Sequence, residues 1–467
     1  MKIAFVYPRL RDQVHGMWPP LGIITLGTIL RDQGQDVRCF DASFDRNFNR
    51  IEMELKKFHP DLVGVSTLTN FFENSRRIIS IAKALGARTM MGGPHPSIAA
   101  EKSLEMIPEL DFAIQGEGEE ILPELVSVLE QGGELSEIPS LIFRQDRELR
   151  VNPRPSKALD LDTVPIPDRD ILDVHHLYLT SRAVNLHVSR GCPFRCSFCQ
   201  PTLHRMFGKK MRFRSPELVV EEIKQLHEKY HVSDFFFNDD VFTTNRKWLR
   251  EISTLIRKAG FNEKFRCVVN SRVDIFDDET ARTLKEIGCY YILFGIESGS
   301  QEILDSLNKG ITVEQTRSAF ALCKKYGFRS HAYVLLGAPG ETRESLRLTE
   351  NLIEEIKPDT VHISICTPLL GTYLMEDCQK KGLINVTDFG DLDYYLERTQ
   401  AGKLPLTLPN LTYEDVLESR ARILGRRRRS FFMYNLRELT RDLIHEPSLK
   451  KIFFRYSFYR KMQHYFG

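Results

Sequence analysis

The chain lacks any apolar run of the roughly 18–20 residues that a membrane-spanning helix requires, which excludes a helix of that kind. It also lacks a recognisable leader. MKIAFVYP reads as a first strand, and the expected location is cytoplasmic. Internal repeats and long low-complexity segments are missing, so a globular architecture is expected, with two or three domains for 467 residues. Cysteine is sparse and unevenly placed. Nine is an odd count, and Cys39, Cys267, Cys289, Cys323, Cys366 and Cys378 stand singly in apolar or helical contexts, as reduced buried thiols do. No second C-x2-C pair exists, so the two separated pairs usual in structural zinc sites are absent. The net charge is only +2, but residues 421–467 hold twelve Lys/Arg against three Asp/Glu, a balance of +9 that leaves −7 for the rest.

What is present is a long alternation of short apolar strands and amphipathic helices. Residues 1–135 contain the strand-like runs KIAFVYP, DVRCFDA, LVGVSTL, ARTMMGG and LDFAIQG, separated by helical patterns. All-apolar strands alternating with helices predict a parallel sheet covered on both faces, a doubly wound α/β domain. Ligands of such sheets bind beyond the carboxyl ends of the strands. Small or polar residues gather there: Ser66 and Thr67, Gly92 to His95, and Gly116 to Glu119. Residues 136–180 predict a hairpin (IPSLIFRQDRELRVN) and then a proline-rich linker. From about Val184 six further strands (AVNLHVS, VSDFFFND, FRCVVNS, YYILFGI, SHAYVLLG, TVHISI) alternate with helices. That pattern predicts a curved, barrel-like (β/α)6 sheet with its active site at the strands' C-terminal ends. The expected units are 1–135, a hairpin and linker over 136–180, a core over 181–385 and a mainly helical C-terminal region over 386–467.

The stretch S-R-G-C-P-F-R-C-S-F-C-Q, Ser189 to Gln200, carries the chemistry. Cys192, Cys196 and Cys199 are spaced C-x3-C-x2-C in a loop directly after a strand, with Gly191 and Pro193 to bend it. Thiolate is the usual ligand of iron–sulfur clusters. Zinc stays open as an alternative, with His204 as a fourth ligand. Three protein ligands on a cubane leave one iron free for chemistry.

This spacing, with an aromatic before the last cysteine (Phe198), resembles the radical S-adenosylmethionine (SAM) superfamily. The resemblance implies a [4Fe–4S] cluster whose open iron chelates the methionine part of SAM, which the reduced cluster cleaves to a 5′-deoxyadenosyl radical. Further motifs follow in family order. FFFNDDVFTTN offers Asn238, Asp239 and Asp240 to the SAM amino group, as carboxylates accept from an ammonium. Ser271 and Arg272 end the third strand, and the Arg272 fork suits a carboxylate. GIESGS, Gly295 to Ser300, resembles the motif whose glutamate, here Glu297, lies near the SAM ribose, with Ser298 beside it. LLGAPGET, with Gly337, resembles the glycine-rich platform beside adenine. For the last, a β-turn with a helix cap is an equally physical reading.

An α/β domain in front of such a core resembles the cobalamin-binding class. PPLGI (Pro20, Leu21, Gly22), V-G-V-S, G-G-P-H and G-E-G-E are all present in order. They make Pro20, Leu21, Gly22, Ser66, Thr67, Gly92, Gly93, His95, Gly116 and Glu117 the expected cobalamin contacts. Glycines at strand ends let backbone approach a large planar macrocycle, and hydroxyls can meet its amide arms. The D-x-H-x-x-G motif that supplies a cobalt-ligating histidine elsewhere is absent, and a capping role for His95 stands beside the binding one.

The resemblance implies an enzyme that methylates an unactivated carbon of a small-molecule or lipid-like substrate, reduced by a flavodoxin- or ferredoxin-type protein. A radical SAM oxidoreductase or cyclase resembling the anaerobic porphyrin-ring cyclases is the alternative, and a metal-stabilised binding protein is the alternative of another class. Tyr290, Tyr333 and Cys366 lie on or beside core strands as substrate contacts or as packing. The arginine- and aromatic-rich tail reads as a helical cap on the barrel or as a peripheral membrane contact. No recognisable reading module accompanies its charge, which argues against nucleic acid.

Overall fold

The structure, a computed structural model, describes residues 1–8, 18–45, 47–145, 148–155, 157–178, 183–261, 266–385 and 404–425. Among these residues no helix is long and apolar enough to cross a membrane. The basic tail from residue 426 lies outside them, and so do the expectations attached to it.

The first sheet contains β1 (Lys2–Tyr7), β2 (Asp36–Asp41), β3 (Leu62–Ser66), β4 (Arg88–Gly92), β5 (Phe112–Ile114), β6 (Leu141–Gln145) and β7 (Glu148–Val151), in the order 2-1-3-4-5-6-7. Pairing from β2 through β5 is parallel. Successive side chains of a strand point to opposite faces, and β1 shows the consequence. Ala4 and Val6 join a core with α2 (Asn49–Phe58), α3 (Phe72–Ala84) and α4 (Pro96–Met106). Ile3 and Phe5 join one on the other face with α1 (Leu21–Asp32) and α5 (Ile121–Gln131). The expected doubly wound α/β domain is present. Its 2-1-3-4-5 order puts the switch point, and hence a ligand crevice, between β1 and β3.

The hairpin differs from its expected place. β6 pairs antiparallel with β5 from Ile114↔Leu141, and β7 pairs with β6. The first sheet therefore runs on to Val151. Sheet completion explains it, because Leu141, Ile142 and Phe143 are buried by joining the edge. The proline-rich segment then returns along β2. Leu172 bridges Cys39, and Asp173 accepts from the Asp41 amide at 3.1 Å.

The second sheet is wholly parallel, in the order β15-β14-β13-β12-β11-β8. Its strands are β8 (Ala183–Leu186), β11 (Asp234–Phe237), β12 (Arg266–Ser271), β13 (Cys289–Glu297), β14 (Arg329–Leu336) and β15 (Thr360–Ile365); a short ribbon pairs β9 (Ser189–Arg190) with β10 (Arg212–Phe213). The helices beyond the first sheet include α6 (His175–Tyr178), α7 (Thr202–Phe207), α8 (Pro216–Tyr230), α9 (Arg246–Lys258), α10 (Asp278–Glu286), α11 (Gln301–Ser306), α12 (Val313–Tyr326), α13 (Arg343–Ile356) and α14 (Tyr373–Lys380). α8 illustrates why they form. Proline at its first turn is pre-set for a helix, and Val219, Ile223 and Leu226 recur on one buried face. Each such side chain contributes on the order of 1.5–3 kcal/mol when fully buried. Leu404, Leu406, Leu408, Leu411 and Val416 extend the barrel core, so the described part of the C-terminal region packs on the barrel.

Candidate active site

Cys192, Cys196 and Cys199 line one cavity of about 220 Å³ at the C-terminal ends of β11 to β14, together with Asp240, Ser271, Arg272, Glu297 and Lys309. The loop is tight. Cys196 O accepts from the amides of Cys199 at 3.1 Å and Gln200 at 3.0 Å. A clasp from Leu307–Lys309, just after α11 (Gln301–Ser306), closes over it. Leu307 O accepts from Ser197 N at 2.9 Å, and Asn308 Nδ2 donates to Arg195 O at 2.7 Å. Burial pushes the Cys192 thiol up to about 11 and Cys199 higher still; a bound electropositive cluster would hold such sulfurs as thiolates. Among the described residues no three His, Cys, Asp or Glu side chains converge on a point as a single metal ion requires. The three cysteines do line the same cavity, and thiolate is the usual ligand of an iron–sulfur cluster. His204 Nε2 lies 3.1 Å from Cys192 O, so the fourth zinc ligand considered above is engaged with backbone.

The other expected SAM contacts divide into two groups. Asp240, Ser271, Arg272 and Glu297 line the cavity. Protein packed around Asp240 raises its carboxyl to about 6, although its edge reaches solvent at the cavity mouth. Asp239 turns inward instead. Its Oδ1 accepts from Val188 N at 3.0 Å and Ser189 Oγ at 2.6 Å, which fixes the entry to the cysteine loop. Asn238 Nδ2 lies 3.4 Å from His187 Nε2. Glu297 adopts φ 56° and is paired with Lys309 Nζ at 2.7 Å. A Cβ on Gly295 would lie 2.5 Å from Glu297 Oε1 and 2.8 Å from Lys309 Nζ, so a side chain there would push the ends of this pair aside. Ser298 is buried against Thr349 of α13, at 3.2 Å. Gly337 donates its amide to the buried Glu341 carboxylate, whose desolvation raises it to about 7. Neither Ser298 nor Gly337 lines the cavity. Tyr333 does line it, whereas Tyr290 lies under the Arg266 guanidinium and Cys366 is buried.

A second cavity, of about 330 Å³, opens at the carboxyl ends of β3 to β5 and is walled on its far side by the barrel. Leu21, Gly22, Ser66, Gly92, Gly93, Gly116 and Glu117 line it. The cradle suits a flat macrocycle: a Cβ on Gly92 would meet nothing within 4 Å, so the space above the strand end is open. Gly93 has φ +98°, with Thr67 backbone 3.2 Å from where a Cβ would stand, so only glycine makes this turn without strain. Pro20, Thr67 and His95 do not reach the cavity. Pro20 O receives the Ile24 amide at 3.3 Å, opening α1, and Thr67 Oγ1 donates to Ser75 at 2.9 Å. His95 begins α4 with Nδ1 3.2 Å from Thr69 Oγ1, and burial lowers its pKa to about 4. His95 holds the N-cap position of α4, but its side chain makes no capping bond there and turns to Thr69 instead.

The two cavities share a wall. His187, Ser189 and Arg190 face the second, and Cys192 the first. Arg190 pairs with Glu117 Oε1 at 2.7 Å and with Glu119, and Arg212 Nη2 reaches Glu117 Oε2 at 2.8 Å. Burial opposes ionisation of Glu119, but Arg190 outweighs it and holds the carboxyl below its ordinary value. The G-E-G-E motif is therefore also the ionic tie between the α/β domain and the cysteine loop. Sequence reading missed Arg190, although it sits inside S-R-G-C. It also missed Lys309, whose only signal is a buried countercharge on another loop.

The radical SAM superfamily model matches residues 186–353, and the B12 binding domain model matches residues 10–126. An uncharacterized methyltransferase of Pyrococcus horikoshii is 34% identical over 384 residues, 80% of this chain and 83% of that protein. The anaerobic magnesium-protoporphyrin IX monomethyl ester cyclase of Rubrivivax gelatinosus is 28% identical, over 83% of this chain and 72% of that one. Among solved structures, the radical SAM methyltransferase TsrM of Kitasatospora setae superposes with a TM-score of 0.72 at 23% identity, over 83% of this chain and 79% of that one. The cobalamin-dependent radical enzyme OxsB gives the same TM-score at 19% identity, over 99% of this chain and 75% of that one. These two likenesses carry the fold. With both domains matched in order and a relative of this identity along most of its length, the chain belongs to the radical SAM superfamily, in the class of enzymes with a B12 binding domain, whose cofactors are a [4Fe–4S] cluster, SAM and cobalamin.

Proposed function

We propose that this enzyme transfers a methyl group to an unactivated carbon of a small-molecule or lipid-like substrate. The observation that carries the reading is the wall between the cavities: His187, Ser189 and Arg190 bound the macrocycle cavity, and Cys192, two positions on, bounds the cluster cavity. The cofactors, when bound, supply a hydrogen-abstracting 5′-deoxyadenosyl radical on one side of that wall and a methyl group on the other. The chain's own part is positioning and exclusion of water. Cys192, Cys196 and Cys199 hold the cluster from one side and leave its other side to SAM. Asp240 and Glu297 present carboxylates to the SAM ammonium and ribose. Asp239, Ser298 and Gly337 support those loops from behind. Gly92, Gly93 and Gly116 keep the strand ends low enough for the corrin, and apolar Leu21 and Gly22 border it.

The Rubrivivax relative, aligned over 83% of this chain, favours a second reading, oxidation or cyclisation without methyl transfer. Anaerobic turnover with SAM labelled in its methyl group, in the presence of a low-potential flavodoxin or ferredoxin and cell extract, separates the two. The proposal expects a labelled product formed together with 5′-deoxyadenosine and S-adenosylhomocysteine. A product that is oxidised or cyclised and carries no label would overturn it.

A further inference from the structure

Arg272 is expected from sequence at the SAM carboxylate, yet its planar fork is already occupied. Nε donates to Asp274 Oδ1 at 3.0 Å and Nη2 to Asp274 Oδ2 at 3.1 Å. Nη2 also donates to Lys309 O at 2.8 Å, in the clasp over the cysteine loop. The guanidinium lies 3.6 Å from the ring centre of Phe194, inside the C-P-F-R-C segment, where a cation over an aromatic face is attracted and desolvated. One nitrogen remains. Nη1 donates to Cys196 Sγ at 3.6 Å, an ordinary length for a bond to the larger sulfur atom. The side chain is only 5% exposed. Four contacts thus hold one N–H on one of the three thiols.

We infer that Arg272 is a positioning residue that sets the reduction potential of the cluster, rather than the group that binds the SAM carboxylate. The inference rests on the cluster assignment made above. A cluster on three thiolates takes up one electron from a low-potential donor, no bond breaks, and the added negative charge stays on iron and sulfur. A fixed cation donating to a ligand sulfur stabilises the more negative state, because cluster potentials respond to net charge and to hydrogen bonds on sulfur. Arginine stays charged throughout, and Asp274 offsets part of its charge while aiming it.

The test is a redox titration of the anaerobically reconstituted full-length protein, without SAM, followed by electron paramagnetic resonance. In Arg272→Gln the reduced fraction at a fixed poise near the midpoint should fall about tenfold in reduced-to-oxidised ratio, which is 59 mV for a one-electron couple. Asp274→Asn, which leaves the arginine and all three thiols in place, should shift the midpoint the other way. SAM affinity of the oxidised cluster, measured by equilibrium dialysis, should change less than threefold in both. An unmoved potential in both variants overturns the inference, as does lost SAM affinity at unchanged potential. If Arg272→Gln fails to take up iron, the Asp274→Asn shift decides: upward supports the inference, and none overturns it. A wild-type protein that binds no iron would overturn the cluster assignment itself.

Discussion

The Glu297–Lys309 pair shows how the site is built at the scale of single residues. The carboxylate sits on backbone at φ 56°, in the region that side chains rarely adopt. The lysine that matches it is 8% exposed and 5.5 Å from the Phe198 ring centre. Burial alone would depress the ammonium, but Glu297 and its neighbours raise it above its ordinary value. Removing one member of such a pair leaves an uncompensated buried charge. Lys309→Met is expected to destabilise the protein by about 3–5 kcal/mol, and Glu297→Gln with Lys309→Met should recover part of that loss. Urea denaturation of the single and double variants checks both statements; equal losses in the two would contradict them. Legibility at this scale followed locality. The three cysteines announce themselves because one loop must supply all the ligands, and C-x3-C-x2-C is local. Lys309 is invisible in sequence because its partner lies on a different element, at the end of β13, and Asp239 reads as a ligand until its Oδ1 is seen taken by Val188 and Ser189.

At the scale of elements, the glycines of the strand ends do two different jobs, and substitutions separate them. A Cβ on Gly299 would lie 2.4 Å from Leu348 O, part of the α13 backbone, which cannot move aside. Gly299→Ala should therefore lower stability by about 1–3 kcal/mol, visible as a reduced melting temperature. Gly92 has open space where its Cβ would stand. Gly92→Ala should leave the melting temperature of the apoprotein within a degree or two, yet lower the cobalamin retained after gel filtration, because the methyl group projects into the second cavity. Unchanged retention would remove Gly92 from the cobalamin wall. Most elements were readable in advance, since the strands are short and apolar and the helices carry one apolar face. The β6–β7 hairpin was also readable, but its attachment was not. Whether a hairpin stands alone or completes an edge depends on the strand that offers the edge, and here β5 offers it.

At the scale of the whole molecule, acid stability and the join between domains follow from what is buried. His95, His175 and His331 are all at most 4% exposed, and burial lowers their pKa to about 4, 4 and 3. Histidine in the unfolded chain takes up its proton near pH 6.5. Between that pH and about 4 each of these histidines binds its proton in the unfolded state and not in the folded one, so its contribution to stability falls as pH drops through this window. The slope approaches 1.4 kcal/mol per pH unit for each histidine. Asp240 and Glu341, whose carboxyls burial raises to about 6 and about 7, act in the opposite sense over the same window, so the check is a difference: the urea midpoint of His331→Gln relative to wild type should rise as pH falls from 7 to 4.5, and a difference that does not change with pH would contradict the account. The domain join depends on Arg190, which pairs with both Glu117 and Glu119. The account as a whole depends on the loop that follows it. Its most direct test is iron analysis and electron paramagnetic resonance of the anaerobically reconstituted wild type beside a Cys192→Ala, Cys196→Ala, Cys199→Ala triple variant. The wild type should show a reduced-cluster signal that SAM perturbs and should release 5′-deoxyadenosine, and the triple variant should do neither. Equal iron content and equal SAM cleavage in the two proteins would contradict it.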